Sequence, residues 1–389
     1  MFLKSLFRII ALIAILTLAY SPILQADEAV EGKYKLKVYG LVRLDAHYDN
    51  AEVQKGDWML WANPSTDPRS EQEVFTMTAR HSQLGISGVG PMIGDNYQVK
   101  SKIELDFAGG FSASSSAALS PQLRLRFAWL SISNPNHEFL FGQDWALISA
   151  PFPNMANYMA GAGVGNFWAR MAQMRYTYTN KPFSAAIALA RPVSANNASA
   201  GDDLDPIGDG ERAGLPFTFG RVWYDFSAVQ LSVAGHYGQE LVRDIQGNDH
   251  TMDSWSAIGT FKVPAGPVVL ETKWFIGSNV NTFSGGIFQG VMIDSTTVTN
   301  VETIGGWVSL TYNWNDRWSN AGGYSFDDPD DTLLPDGKRG KNSIAWLNVN
   351  YKPAKDLRFA LEGNLLTTDY VNKASGEAVR VLLLTTYSF

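Results

Sequence analysis

The 389-residue chain contains no cysteine. That absence removes disulfide frameworks, thiol nucleophiles and cysteine-based metal sites, and it suits export through an oxidising compartment where thiols mispair. Histidine is scarce, and the five present (His47, His81, His137, His236, His250) show no ligand spacing. No Gly-x-Ser-x-Gly or Ser-x-x-Lys element stands out, so enzyme signals are poor and no cofactor is implied. A net charge of -7 argues against nucleic acid as a partner.

Long apolar runs are also missing, with one exception at the start. Behind Lys4 and Arg8 an apolar run extends from Ile9 to Ala19 and breaks at Tyr20-Ser21-Pro22. It is too short for a spanning helix and reads as a secretory signal peptide over residues 1–26, cut after Ala26, with Leu24 where a smaller residue is usual. The remainder, residues 27–389, is expected to be one domain of 363 residues (389 minus 26) with a charge of -9, since two cations leave with the leader. No later stretch can form a membrane helix. Should this part enter a membrane, it must do so as a closed barrel, the other structure that satisfies its backbone in hydrocarbon.

What the chain does have is period two. Over residues 36–48 the even positions carry Leu36, Val38, Val42, Leu44 and Tyr48, and the odd ones Lys37, Arg43, Asp45 and His47. Residues 97–107 repeat this, with Tyr97, Val99, Ile103, Leu105 and Phe107 against Gln98, Lys100, Lys102, Glu104 and Asp106. One greasy and one charged face per strand also suits a soluble sandwich. Two features favour a membrane barrel instead: the polar face mixes arginine with acids, and short turns alternate with long loops along the whole chain.

The pattern predicts an all-β fold, a transmembrane antiparallel barrel of sixteen strands near 35–49, 74–87, 97–108, 122–133, 137–144, 170–179, 183–193, 215–226, 228–240, 253–263, 267–277, 303–314, 317–326, 343–352, 357–369 and 378–389. Tight turns are expected at residues 88–96, 134–136, 180–182, 227, 264–266, 315–316 and 353–356, and polar outward loops at 50–73, 194–214, 278–302 and 327–341. Trp314, Trp318, Tyr224, Phe226 and Tyr351 mark strand ends as an interfacial girdle. The chain finishes Val379, Val381, Leu383, Tyr387, Phe389 on one face, the strongest barrel signal.

Parity turns Arg43, Arg80, Arg124, Arg126, Arg175, Arg221, Arg358 and Arg380 inward, opposed by Asp45, Glu104, Asp106, Glu271 and Glu362. Arg43, Arg80, Arg124, Arg126 and Arg175, with Asp45, Glu104 and Asp106, are the candidate pore-lining set. Guanidinium groups stay charged at any working pH and grip carboxylates, so such a set lowers the barrier to anions; pairing with the acids, bracing the wall, is the alternative. Residues 146–169 are apolar and small, with Gly161, Gly163 and Gly165 alternating; they are expected to fold into the lumen. As a phosphate cradle the glycine run is weak, since no helix pattern follows. The acidic stretches at Asp202, Asp203, Asp205, Asp209 and Glu211 and at Asp327, Asp328, Asp330 and Asp331 lack calcium-loop spacing and read as solvated loop acids, so no metal site is assigned.

Several strings resemble the DcaP-like outer-membrane porins: Tyr39-Gly40-Leu41-Val42-Arg43-Leu44-Asp45, Thr78-Ala79-Arg80-His81-Ser82-Gln83-Leu84-Gly85, Ile103-Glu104-Leu105-Asp106-Phe107, Leu123-Arg124-Leu125-Arg126-Phe127-Ala128-Trp129 and Phe141-Gly142-Gln143-Asp144-Trp145. The likeness is densest over residues 35–180. It implies a trimer of sixteen-stranded barrels in the Gram-negative outer membrane, among lipid and lipopolysaccharide, passing small anionic solutes such as dicarboxylates past a constriction loop. His81 and Gln83 depart from the family's usual Gln and Arg, and no coiled-coil extension fits between Asp27 and Tyr34. A weakly cation-preferring diffusion pore and a closed structural or adhesion barrel stand as alternative readings.

Overall fold

A computed structural model describes residues 34–109, 121–194, 208–226 and 228–389. The expected leader, 1–26, lies outside these residues, as do Asp202, Asp203 and Asp205. Nineteen strands follow in order: β1 (Lys35–Asp49), β2 (Val74–Thr78), β3 (Gln83–Ile93), β4 (Tyr97–Gly109), β5 (Gln122–Ser133), β6 (His137–Trp145), β7 (Arg170–Asn180), β8 (Phe183–Ala190), β9 (Phe217–Asp225), β10 (Gln230–Arg243), β11 (Asp249–Ala265), β12 (Val268–Ser278), β13 (Val291–Asp294), β14 (Thr297–Asn300), β15 (Glu302–Asn313), β16 (Trp318–Pro329), β17 (Arg339–Ala354), β18 (Leu357–Tyr370) and β19 (Lys373–Ser388). β13 and β14 form a separate hairpin, and β2 and β3 both pair with β1 as one interrupted wall strand. Nineteen less two, less one, gives a wall of sixteen.

Closure comes from β1 and β19, antiparallel from Leu41 opposite Ser388 to Asp49 opposite Arg380. Closing the sheet leaves no edge with unpaired amides in hydrocarbon. Just beyond that register Gly40 and Phe389 exchange two backbone hydrogen bonds of 3.1 Å. A Cβ on Gly40 would lie 2.4 Å from the Phe389 ring, so the terminal aromatic covers a stretch of bare backbone that only glycine leaves open.

Alternation along the strands sorts the two faces. On β1, Val42 and Leu44 are exposed while Asp45, His47 and Asp49 are buried; on β19, Val379, Val381 and Leu383 are exposed and Arg380 is buried. Apolar side chains therefore face lipid and charged ones the interior. At the rim of short turns, Trp318 stacks on Tyr351 at 4.4 Å, Tyr312 meets Trp314 at 4.6 Å and Tyr224 meets Phe226 at 4.2 Å, as an interfacial belt requires.

Three expectations need correction. The expected turn over 88–96 is mostly strand: β3 runs to Ile93, and a register shift between Val89 and Met92 accommodates Gly90 and Pro91, a bulge being where a sheet tolerates proline. The expected strand 74–87 is broken at residues 79–82. Loops 50–73 and 278–302, read as outward and polar, instead turn their apolar residues into the barrel. Ala51, Val53, Met59 and Ala62 pack with Met155, Val164, Trp307 and Trp346, and Val280 and Phe283 with Ile148, Phe167, Phe219 and Phe275. Each large apolar side chain removed from water contributes about 1.5–3 kcal/mol, which outweighs the polar composition around it.

Candidate constriction site

The loop of residues 146–169 leaves β6, crosses the lumen and is fastened to the far wall along its length. At its root the carbonyls of Ser149 and Pro151 accept from Lys273 Nζ at 2.5 and 3.2 Å, and that of Ala150 from Arg221 Nη1 at 3.0 Å. Further on, Asn166 Oδ1 accepts from Lys273 Nζ at 3.0 Å and from Trp307 Nε1 at 3.2 Å, the Gly163 carbonyl from Asn342 Nδ2 at 2.9 Å and the Val164 carbonyl from the Ser325 hydroxyl. At the tip the amides of Ala156 and Asn157 donate to the Glu362 carboxylate at 2.5 and 2.9 Å, while Arg43 donates to the Ala156 carbonyl at 2.7 Å. The glycine run serves this fit: Gly165 has φ 92° and a Cβ there would lie 2.2 Å from the Phe326 carbonyl oxygen.

Tyr158 is the centre of the constriction. Its hydroxyl donates to Asp106 at 2.8 Å and accepts from Arg124 at 2.7 Å and Arg126 at 2.8 Å. Burial pushes the Tyr158 hydroxyl up from its usual range, which keeps it a donor to Asp106. The His81 ring stacks on it at 3.8 Å with 3° between planes, and His81 Nδ1 lies 2.8 Å from Asp45.

The candidate arginines are all ion-paired. Arg43 grips Asp45 through Nε and Nη2 at 2.8 and 2.7 Å; Arg80 grips Asp57 with two bonds of 2.7 Å; Arg124 grips Asp106 at 3.0 and 2.6 Å; Arg126 bridges Glu104 at 2.6 Å and Asp106 at 3.1 Å. These four and Asp45, Glu104 and Asp106 come together around Tyr158. Arg175 pairs with Asp144 at 2.8 Å and shares no partner with them. Arg380 is bound to Asp49 and Arg358 to the Asn350 side chain, and Glu271 lies 3.6 Å from Lys262.

Sequence reasoning missed Asp57 and Tyr158, which complete the cluster from two loops, and Arg170. Arg170 opens β7 with its guanidinium 4.5 Å from the Trp145 ring centre, and among the described residues it makes no hydrogen bond or ion pair. Lys273, Arg221 and Arg339 likewise have no carboxylate partner there; Arg339 donates to the Ile287 carbonyl and lies 4.1 Å from the Trp61 ring. Placing Arg170 beside Phe167 and Trp168 was the available signal. Asp327 also departs from its reading as a solvated acid: it is buried and accepts from the Gly286 and Ile287 amides and the Thr303 hydroxyl, docking the third inward loop. Asp328 pairs with Lys341 at 2.8 Å. No cluster able to hold a metal ion occurs among the described residues.

A closed sixteen-strand barrel, apolar outside, charged within and narrowed by a loop across the lumen, is the architecture of an outer-membrane diffusion channel. The sequence matches the Gram-negative porin family over residues 11–370, and the chain belongs to that family; it is an outer-membrane channel and not an enzyme. Among solved structures it is similar to the outer membrane channel DcaP of Acinetobacter baumannii, at 21% identity over 94% of this chain and 100% of that one, with a TM-score of 0.77. It is also similar to the anion-selective porin from Comamonas acidovorans, at 13% identity over 92% and 100% of the two chains with a TM-score of 0.61. The trimer form of OmpT from Vibrio cholerae aligns at 14% identity over 92% and 100%, with a TM-score of 0.59. Curated proteins give no match.

Proposed function

We propose that this porin is a trimeric channel for passive diffusion of small hydrophilic solutes that prefers anions, dicarboxylates among them, in a lumen lined by arginine. The observation that carries the reading is an imbalance at the constriction. Around Tyr158 the guanidinium groups of Arg43, Arg80, Arg124 and Arg126 are matched by Asp45, Asp57, Glu104 and Asp106, Lys102 lies 3.1 Å from the Glu104 that Arg126 already holds, and Arg170 adds a cation with no carboxylate of its own among the described residues. Arg221, Arg339 and Lys273 extend that surplus and outnumber the buried Glu362 and Asp327, which accept from amides and a hydroxyl in place of a cation. A matched pair leaves little net field, whereas an unmatched guanidinium in a narrow, partly dry passage attracts anions and repels cations. Similarity to the anion-selective porin from Comamonas acidovorans and to the trimer form of OmpT supports the preference and the assembly, and lipid and lipopolysaccharide are the surroundings such a barrel meets.

The test is the reversal potential of the purified protein in a planar bilayer under a potassium chloride gradient. A chloride-favouring potential is expected, together with a shift toward potassium in Arg170→Glu. A potassium-favouring potential in the native protein refutes the anion preference.

A further inference from the structure

On the long-loop side of the constriction lies a cavity of about 310 Å³, in the lower range of small-molecule sites. Its wall includes Trp58, Arg124, Met159, Trp168, Arg170 and Phe288. Two cations face it, and they differ. Arg124 is committed to Asp106 through two hydrogen bonds and to Tyr158 through a third. Arg170 has no hydrogen-bond acceptor among the described residues, and its Nη1 is out of reach of solvent.

A second donor is in the same condition. The Trp168 indole N–H is buried without an acceptor, while its ring is held edge-on by Trp145 at 5.0 Å and Phe152 at 5.1 Å. A buried donor without a partner is costly. Both donors call for the same group, an oxygen carrying negative charge, and the planar fork of a guanidinium fits a carboxylate best. Around them the wall is mostly ring, thioether and methylene, with Gln143, Thr282 and Ser284 as its uncharged polar members, which favours a flat, largely apolar body over a fully hydrated one.

We propose that this cavity is a binding site for one carboxylate carried on an aromatic ring, with Arg170 and the Trp168 indole N–H holding the carboxylate and the ring lying against Trp58, Met159 and Phe288. One uncommitted guanidinium implies one carboxylate, since the other cation of the wall, Arg124, is already held by Asp106. The inference rests on the anion-channel reading and refines its solute class at the outer side.

Benzoate and acetate, added in turn to native channels in a planar bilayer bathed in potassium chloride, test it. Benzoate is expected to interrupt the current at concentrations where acetate does not. Arg170→Gln should weaken that effect about tenfold or more, the worth of one charge-assisted hydrogen bond, and Trp168→Leu should lower the benzoate-to-acetate ratio. Equal effects of the two anions on the native channel overturn the site even if a variant fails to fold, as does a benzoate block that persists in folded Arg170→Gln. The reversal potential in chloride alone is read in the same experiment: a potassium-favouring value beside an Arg170-dependent benzoate block would sink the anion channel and leave the site standing.

Discussion

Replacing Glu362 with glutamine tests how far the tip of the loop across the lumen depends on one carboxylate. Glu362 lies on β18, fully buried, and its two oxygens receive the amides of Ala156 and Asn157 and the side chain of Asn348 at 2.5, 2.9 and 2.9 Å. The amide keeps the volume but turns one acceptor into a donor facing a backbone N–H. A hydrogen bond to a charged group contributes about 1.5–3 kcal/mol, and an orphaned buried donor costs a further ~1–3 kcal/mol. Relief of the desolvation of an anion that has no cation of its own offsets part of this, leaving a net loss of about 2–3 kcal/mol. The docking equilibrium of the tip then falls by roughly 30- to 160-fold. The root stays fixed by Lys273 and Asn166, so the loosening falls on the segment from Ala156 to Tyr158, which then depends on Arg43, Arg124 and Arg126. Single-channel recordings should show a larger mean conductance and more current noise in Glu362→Gln, with the barrel still folded by its heat-modifiable mobility on gels. Native conductance and native noise in a folded variant would refute the reasoning.

Two other positions bear on the same loop. Lys273→Met leaves the Ser149 and Pro151 carbonyls without their donor at about 1–3 kcal/mol each, while Asn166 Oδ1 keeps the Trp307 indole; removing a buried cation with no carboxylate among the described residues offsets part of this, the barrel should lose its compact mobility at a lower temperature, and an unchanged melting temperature would count against that role. Gly165→Ala places a methyl 2.2 Å from the Phe326 carbonyl oxygen at φ 92°, so the loop should stand off β16 and become open to added protease, whereas native resistance would show that the close approach is not required.

Much of the wall was legible because a strand between lipid and lumen has to alternate: β1, β5 and the start of β18 fall where period two placed them. The inward turn of residues 146–169 was legible for a related reason, since an apolar, glycine-rich segment makes a poor solvated loop. Loops 50–73 and 278–302 were not, because Trp58, Met59, Val280 and Phe283 are spread among Gly, Asn and Asp without any period; what buries them is the neighbouring loop. The site was legible in half. Parity identifies which arginines leave the lipid face but says nothing of partners, and Arg80 meets Asp57 across a span of 23 residues. That the selected arginines are paired, and Arg170 not, depends on contacts between loops and strands remote in sequence.

This division of labour has a physical logic. A passage narrowed by folded loops needs internal fastening, and Arg43, Arg124 and Arg126 supply it by tying β1 and β5 to the loop at Ala156 and Tyr158. Groups so committed are poor solute sites, because a passing anion must displace a buried carboxylate whose loss leaves the arginine unpaired. A cation meant for exchange must line the passage, be desolvated enough to matter, and be free of any such partner. Arg170, resting on the Trp145 ring in place of an acid, is such a cation: cation–π contact positions the charge, and although its Nη1 is out of reach of solvent, no acceptor among the described residues occupies the guanidinium. Selectivity in this barrel is therefore expected to follow the guanidinium groups that lack carboxylates and not the total number lining the wall.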